Sequence, residues 1–420
     1  MLGVILWTLI VLGGESIIVN PELTNLFLHD NPDGSGFMDW IIHHELIMRL
    51  GEIAEILFFL MGAMTIVELI DTYGGFKIIT DKIKTSSKVR FMWILVVLTF
   101  FMSAVLDNMT TTIVMVTLLR KLLTARKDRW FFAGLIVLAA NAGGAWSPIG
   151  DVTTIMLWVG GKVSTGDIIY KTFLASVVSI LVPLVILSFR LKGNFSRPES
   201  LDASNKSLSV STSYRERLLI LIAGVIALLF VPVFKSITHL PPYIGMLGGL
   251  GGLWVLTELL KRRHSERDNR QYAITTILTK IDTPSILFFL GILLAVAALQ
   301  VCGQLALLST SLDKIPLQEP GKYFAVSYII GLLSAVVDNV PLVAGVMGMY
   351  SFEMDHYFWE FVAYCAGTGG SILIIGSAAG VAAMGLEKID FIWYLEKISL
   401  LALIGYTAGA LTFIAQYYLI

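Results

Sequence analysis

Hydropathy along the chain rises and falls in apolar blocks of about 20 residues, the length that crosses a bilayer as a helix, separated by short polar stretches. The pattern predicts spans at 1–19, 46–70, 170–189, about 217–234, about 242–260, 284–303 and 391–418. Four blocks do not fit that plan: 91–119, 130–159, 323–350 and 357–384.

The block 91–119 has Arg90 before it and Arg120, Lys121, Arg126, Lys127 and Arg129 after it, so both its ends are expected on the cytoplasmic side. Its length, 119 − 90 = 29 residues, falls short of the roughly 40 that two crossings require. A re-entrant helical hairpin is expected at about 90–119, with its tip near Ser103 to Asn108. The next block has a polar, glycine-rich middle, Asn141-Ala-Gly-Gly-Ala-Trp-Ser-Pro-Ile-Gly-Asp151, and reads as a broken helix at about 130–159. Its first part, 130–141, is about 18 Å long at 1.5 Å per residue.

Composition agrees with a membrane protein, with 56% hydrophobic and 15% charged residues and a mean hydropathy of +0.79. Thirty Lys and Arg against 31 Asp and Glu leave a net charge of −1, which gives no reason to expect nucleic acid. Cys302 and Cys365 lie in apolar blocks and form neither a disulfide framework nor a zinc spacing. Residues 1–19 lack a basic start and a cleavage site, and are expected to stay as a first span. Residues 20–45 carry Glu22, Asp30, Asp33, Asp39 and Glu45 with no Lys or Arg, an external loop by the positive-inside rule. Lys77, Lys82, Lys84, Lys88 and Arg90 then return the chain to the cytoplasm, so the amino terminus is expected inside and the carboxyl terminus outside.

An internal repeat is present. Ser103-Ala-Val-Leu-Asp107-Asn108 returns as Ser334-Ala-Val-Val-Asp338-Asn339, at 338 − 107 = 231. Phe58-Phe-Leu and Gly62 return as Phe288-Phe-Leu and Gly291 at offsets of 230 and 229, and Gly143-Gly144 and Gly150 return as Gly369-Gly370 and Gly376 at 226. The second hairpin candidate, 323–350, lacks basic flanks, and counting spans places it on the face opposite the first. The expected fold is therefore an all-α polytopic membrane protein of two inverted-topology repeats, each with a re-entrant helical hairpin and a broken transmembrane helix. Residues 1–192 form the first half, 193–215 a cytoplasmic linker, and 216–420 the second half, with its hairpin at about 323–350 and broken helix at about 357–384.

A carboxylate near the bilayer centre costs roughly 2.5–3.5 kcal/mol on the insertion scale. Asp107 and Asp338 at the hairpin tips, and Asp151 at the first break, sit where no cation is close in sequence. Together with Asn108, Thr110, Thr111, Thr112, Asn141, Ser147, Thr153 and Thr154 they offer oxygens suited to a hard cation. The other reading of Asp107 and Asp338 is that they cap hairpin helices. A proton and a metal ion compete for one carboxylate, and that competition is antiport in its simplest form. Asp151 aligns with Ser377 (377 − 226 = 151), so acid is concentrated in the first half. Glu52 and Glu55 suit either an ion-pair ladder with Glu45 and Arg49 or an access path. Glu68 and Asp71 are expected at an interface, and His43, His44 and His356 in exposed loops.

The paired Ser-Ala-Val-x-Asp-Asn tips and the Asn141-Ala-Gly-Gly-x-x-Ser-Pro-Ile-Gly-Asp151-Val-Thr-Thr154 break resemble the NhaD-type sodium/proton antiporters of the ion transporter superfamily, over about residues 40–420. The resemblance implies exchange of Na+ or Li+ for H+ as transported ions, no cofactor, a homodimer with one site per protomer, and a prokaryotic inner membrane. It places the functional polar positions at Asp107, Asn108, Asn141, Asp151, Thr153, Thr154, Ser334, Asp338 and Asn339, beside which Thr111 is a further candidate ligand. Arsenite and other oxyanion permeases share Asp-Asn tips but read Gly-Asp-Pro-Pro-Asn at the break, and dicarboxylate carriers have Ser-Asn-Thr tips without an acid. An intramembrane enzyme would need a nucleophile or metal set, and neither His-Glu-x-x-His nor Gly-x-Ser-x-Gly occurs.

Overall fold

The computed structural model describes residues 2–13, 36–80, 85–195, 213–261, 272, 274–312, 314 and 316–419. The acidic loop positions Glu22, Asp30 and Asp33, the cations Lys82 and Lys84, most of the serine-rich linker, and Asp313 lie outside those residues.

The described residues form helices and no strand, apart from one isolated bridge between Ser87 and Asn194. The first half comprises α1 (Leu2–Gly13), α2 (Ile47–Thr72), α3 (Lys88–Leu106), α4 (Asn108–Leu122), α5 (Arg126–Gly144), α6 (Val152–Val159) and α7 (Thr165–Arg190). The second comprises α8 (Tyr214–Thr238), α9 (Pro242–Lys261), α10 (Thr283–Val301), α11 (Gln304–Leu312), α12 (Gly321–Leu333), α13 (Asn339–Met349), α14 (Tyr357–Gly369), α15 (Ala378–Glu387) and α16 (Leu400–Leu419). Among the described residues, 7 helical stretches are long and apolar enough to cross a membrane. This is a polytopic helical membrane protein.

Burial sorts the helices by role. Every residue from Phe132 to Gly144 in α5 and from Phe358 to Gly369 in α14 is buried, so these two form the centre of the bundle. By contrast, α8 buries one stripe, Ile220, Gly224, Ala227, Leu228 and Val231, and leaves Ile222, Ile226 and Val233 exposed in the manner of a lipid-facing helix.

Ion pairs fix which ends lie together. Lys88, at the start of α3, bonds Asp128, at the start of α5, at 2.8 Å. Since α4 ends at Leu122, just before α5, both arms of the α3–α4 hairpin open at one end of the bundle. Arg120 and Arg129 reach Glu387, the last residue of α15, at 2.8 and 2.9 Å, so α15 ends there too. At the other end, beyond α6, the Asp355 backbone N–H donates to the Lys162 carbonyl at 2.9 Å, just before α14 begins. Thus α5–α6 leads away from the basic end and α14–α15 leads back to it.

The internal matches recur as matching contacts. Ser103 Oγ donates to the Ala140 carbonyl and Ser334 Oγ to the Ala366 carbonyl, at 2.6 and 2.9 Å. Gly143 lets the Phe100 carbonyl approach, as Gly369 does for Gly331.

Several expectations need correcting. α5 extends beyond the predicted 130–141 at both ends: the charged first turn, with Asp128 near its amino end, continues the helix outward, and at the other end it runs to Gly144, with the Ala145 N–H still donating to the Asn141 carbonyl. The segment after α10, to which the hydropathy pattern assigns no element, holds a further helix, α11. His43 and His44 lie in a π-helical turn, Ile41–Leu46, that runs into α2; they are no loop, although both are exposed as expected. His356 is half-buried and stacked on Phe352 at 4.4 Å, with Nδ1 accepting the Phe358 N–H. Burial lowers its imidazole pKa from the ordinary value.

A methyl group on Gly143 would fall 2.1 Å from the Phe100 carbonyl oxygen. Gly143→Ala is expected to lose about 1–3 kcal/mol, read as a lower melting temperature in detergent. Gly248→Ala in α9, with nothing within 4 Å, should be neutral or slightly stabilising.

Candidate cation site

The site forms where the α3–α4 tip, the α12–α13 tip and the two breaks meet. Asp151 is 1% exposed and caps α6, with its Oδ1 accepting the Thr153 N–H at 2.9 Å and the Thr153 hydroxyl at 3.0 Å. Thr154 completes a capping box with the Asp151 backbone. The remaining contacts come from the two tips. Asn108 Nδ2 donates to Asp151 Oδ2 at 2.6 Å, and Asn339 Nδ2 to Oδ2 and Oδ1 at 3.2 and 3.3 Å.

Asn141 links the halves. Its Oδ1 accepts from Asn108 at 3.1 Å, and its Nδ2 donates to Ser371 and Ser377 at 2.9 Å each. Each amide hydrogen of Asn108 and Asn141 is thereby used, while the Oδ1 atoms of Asn108 and Asn339 take part in none of these bonds.

The two tip acids differ. Asp107 has φ 71°, an uncommon conformation for a non-glycine residue. It caps α4, accepting the Thr110 N–H at 2.8 Å and the Thr110 hydroxyl at 2.7 Å. Asp107 and Asn108 are the polar side chains of a cavity of about 20 Å³ whose other walls are apolar, among them Phe59, Met246 and Phe289. Asp338 makes no capping bond, and its Oδ1 is buried without a partner. Both lie within electrostatic reach of Asp151. Among the described residues, none of the three carboxylates forms an ion pair.

The other candidates divide. The buried hydroxyls of Thr111 and Thr112 have no partner. Ser334 and Ser147 are committed to backbone carbonyls, Ala366 and Ala104, which places them in the packing of the tips. Glu52 and Glu45 both pair with Arg49, at 3.3 and 3.5 Å, on the ladder of the first reading. Glu68 pairs with Lys280 at 2.9 Å.

Two charged groups escape a search centred on tips and breaks. Glu360 is fully buried in α14 and bonds Lys171 at 3.0 Å, with the Lys171 ammonium also 2.6 Å from Asp167 and 2.8 Å from the Asp355 carbonyl. In the second half Glu360 thus adds a buried acid to the partly buried Asp338, away from the tips and breaks where acid is concentrated in the first. Glu387 is likewise buried beneath Arg120 and Arg129. The buried-carboxylate criterion that singled out Asp151 would have found Glu360, one turn into an apolar block.

The chain matches a family model described as "Citrate transporter" over residues 5–360. It is 48% identical to "Sodium/proton antiporter 1" of Arabidopsis thaliana over 87% of its own length, and spans 62% of that relative. It is 44% identical to "Sodium/proton antiporter 2" of the same plant, covering 89% of this chain and 88% of the relative. It is 32% identical to "Na(+)/H(+) antiporter NhaD" of Alkalimonas amylolytica, over 86% and 77%.

Lys171→Met would leave the Glu360 charge buried and unpaired, at a cost of roughly 2–3 kcal/mol. The melting temperature should fall, and the double variant Lys171→Met/Glu360→Leu should recover most of the loss.

Proposed function

The chain belongs to the family of NhaD-type sodium/proton antiporters, within the wider group that the citrate-transporter model describes, and we propose that it exchanges Na+ or Li+ for H+ by alternating access. The observation that carries this reading is a carboxylate, Asp151, buried at the meeting of two breaks and two tips and bonded to neutral donors alone. A charge at that depth requires a counter-charge. With no basic side chain paired to it among the described residues, the counter-charge is a proton in one state and a monovalent cation in another.

The cation site we propose is built from Asp151 and Asp338, the Oδ1 atoms of Asn108, Asn141 and Asn339, and the hydroxyls of Thr111 and Thr153, with Asp107 at the adjoining cavity. Thr154 and Ser334 hold the α6 cap and the second tip in place. An entering cation displaces the Asn339 contacts, the longest on Asp151, and gains the partnerless oxygen of Asp338 in return. The cavity beside Asp107 has room for about one water-sized species, which fits a dehydrated Na+ better than the organic or oxyanion substrate of a permease. A carboxylate cluster also repels an anion.

We read the matched tips and breaks as two inverted repeats that meet at this site, the arrangement that alternating access uses. The positive-inside rule supports reading the basic end of the bundle, where α3 begins and α7 ends, as cytoplasmic. The homodimer is carried over from the family resemblance. The relatives come from a plant and from bacteria, and the assignment to a prokaryotic inner membrane likewise follows the resemblance.

In vesicles with an imposed pH gradient, Na+ or Li+ should dissipate the gradient, and citrate or arsenite should not. Asp151→Asn and Asp107→Asn should insert normally and lose the response; an Asp151→Asn variant that exchanges like wild type removes that carboxylate from the mechanism. At a shared site, lowering pH should raise the apparent KM for Na+ by up to about tenfold per unit below the protonation midpoint. A KM that stays flat with pH would mean separate sites for the two ions.

A further inference from the structure

A groove of about 620 Å³ runs along α15 from the second break to the basic end of the bundle. Its walls toward the break are apolar, with Ile375 and Val381 exposed at 40% and 54% and Met384 beside them. At its mouth stand Arg126, from the start of α5, and Lys388, just past α15. Arg126 Nη2 donates to the Lys388 carbonyl at 3.3 Å, and its guanidinium lies 4.6 Å over the Trp130 ring.

Charge at the mouth is not balanced. Glu387 is neutralised by Arg120 and Arg129, which leaves Asp390, a groove-lining residue that also accepts the Trp393 N–H at 2.8 Å, as a single negative charge against Arg126 and Lys388. Arg126 and Lys388 form no ion pair among the described residues. A second, independent mark of depth is the contact of Trp130 with Trp393, ring centroids 5.3 Å apart, since paired tryptophans at a helix end sit at the headgroup level.

We propose that this groove binds one anionic phospholipid, its phosphate held between Arg126 and Lys388 and one acyl chain along Val381 and Met384. The cationic mouth excludes the groove as a path for Na+, and its apolar walls suit an amphipath better than a free anion. A lipid there would bridge α5, which carries Asn141, and α15, which Ser377 caps, and so touch both halves close to the site.

The test is native mass spectrometry of the full chain titrated with phosphatidylglycerol, with phosphatidylcholine as the neutral comparison. Wild type should retain phosphatidylglycerol selectively. Arg126→Gln/Lys388→Gln should weaken retention by about tenfold or more, at roughly 1 kcal/mol for each interfacial charge. Val381→Trp, which fills the groove and leaves the charges, should also weaken it, and decides the matter if the double variant fails to fold. Arg190→Gln/Lys192→Gln, exposed cations at the same end, should change nothing. Undiminished retention by Val381→Trp, or complete displacement of phosphatidylglycerol by inorganic phosphate, would overturn the proposal.

Discussion

The structure turns on the carboxylate of Asp151 and the two asparagine side chains that reach it from opposite hairpins. Asn108 and Asn339 occupy matching positions in the repeat, 231 residues apart, yet they converge on one acid. That convergence requires both tips to enter the bundle to the same depth. Close backbone approach makes this possible: Gly143 and Gly150 admit carbonyl oxygens of α3 and its tip, and Gly369 and Gly376 do the same for the second hairpin. The buried α5 and α14 carry the breaks, and the breaks supply the cap, the serines and the bridging Asn141. Sequence, packing and site are thus one chain of dependence, in which small residues set the distance and amides set the register.

Charge is distributed in a way that suits movement. At the two ends of the bundle, acids of one half are matched by cations of the other: Glu387 with Arg120 and Arg129, and Glu360 with Lys171. At the centre, by contrast, Asp107 and Asp151 are matched by neutral donors, and Asp338 Oδ1 has no partner at all. On the proposed reading, rocking one half against the other would load one of the end pairs, whereas the centre would exchange its counter-charge without breaking an ion pair. A buried pair adds little net stability but is costly to split, which makes the end pairs better suited to holding a register than to driving motion.

Much of this was legible in the sequence. The first hairpin was readable because cations on both flanks of 91–119 forbid a single crossing, the second because the Ser-Ala-Val-x-Asp-Asn tip returns in 323–350, and the breaks because glycine and polar residues interrupt an apolar run. Asp107, Asp151 and Asp338 stood out as acids without local cations. What could not be read was pairing across long sequence separations. Lys171 and Glu360 look like interfacial residues of separate helices until folding sets them 3.0 Å apart. Nor does sequence distinguish the two tip acids, for Asp107 caps its helix and Asp338 does not. The extra helix α11 and the π-helical turn bearing His43 follow from packing after the spans are placed, and have no periodicity of their own to announce them.

On the proposed reading, Asp151 holds either a proton or a sodium ion. That reading is tested most directly by counting protons released when Na+ binds the purified protein, from calorimetric titrations in buffers of different ionisation enthalpy. Wild type should release protons on binding Na+, more of them at lower pH within the range where the site is partly protonated, and Asp151→Asn should release fewer or bind no Na+ at all. Sodium binding by wild type with no proton released at any pH would show that the two ions do not share Asp151.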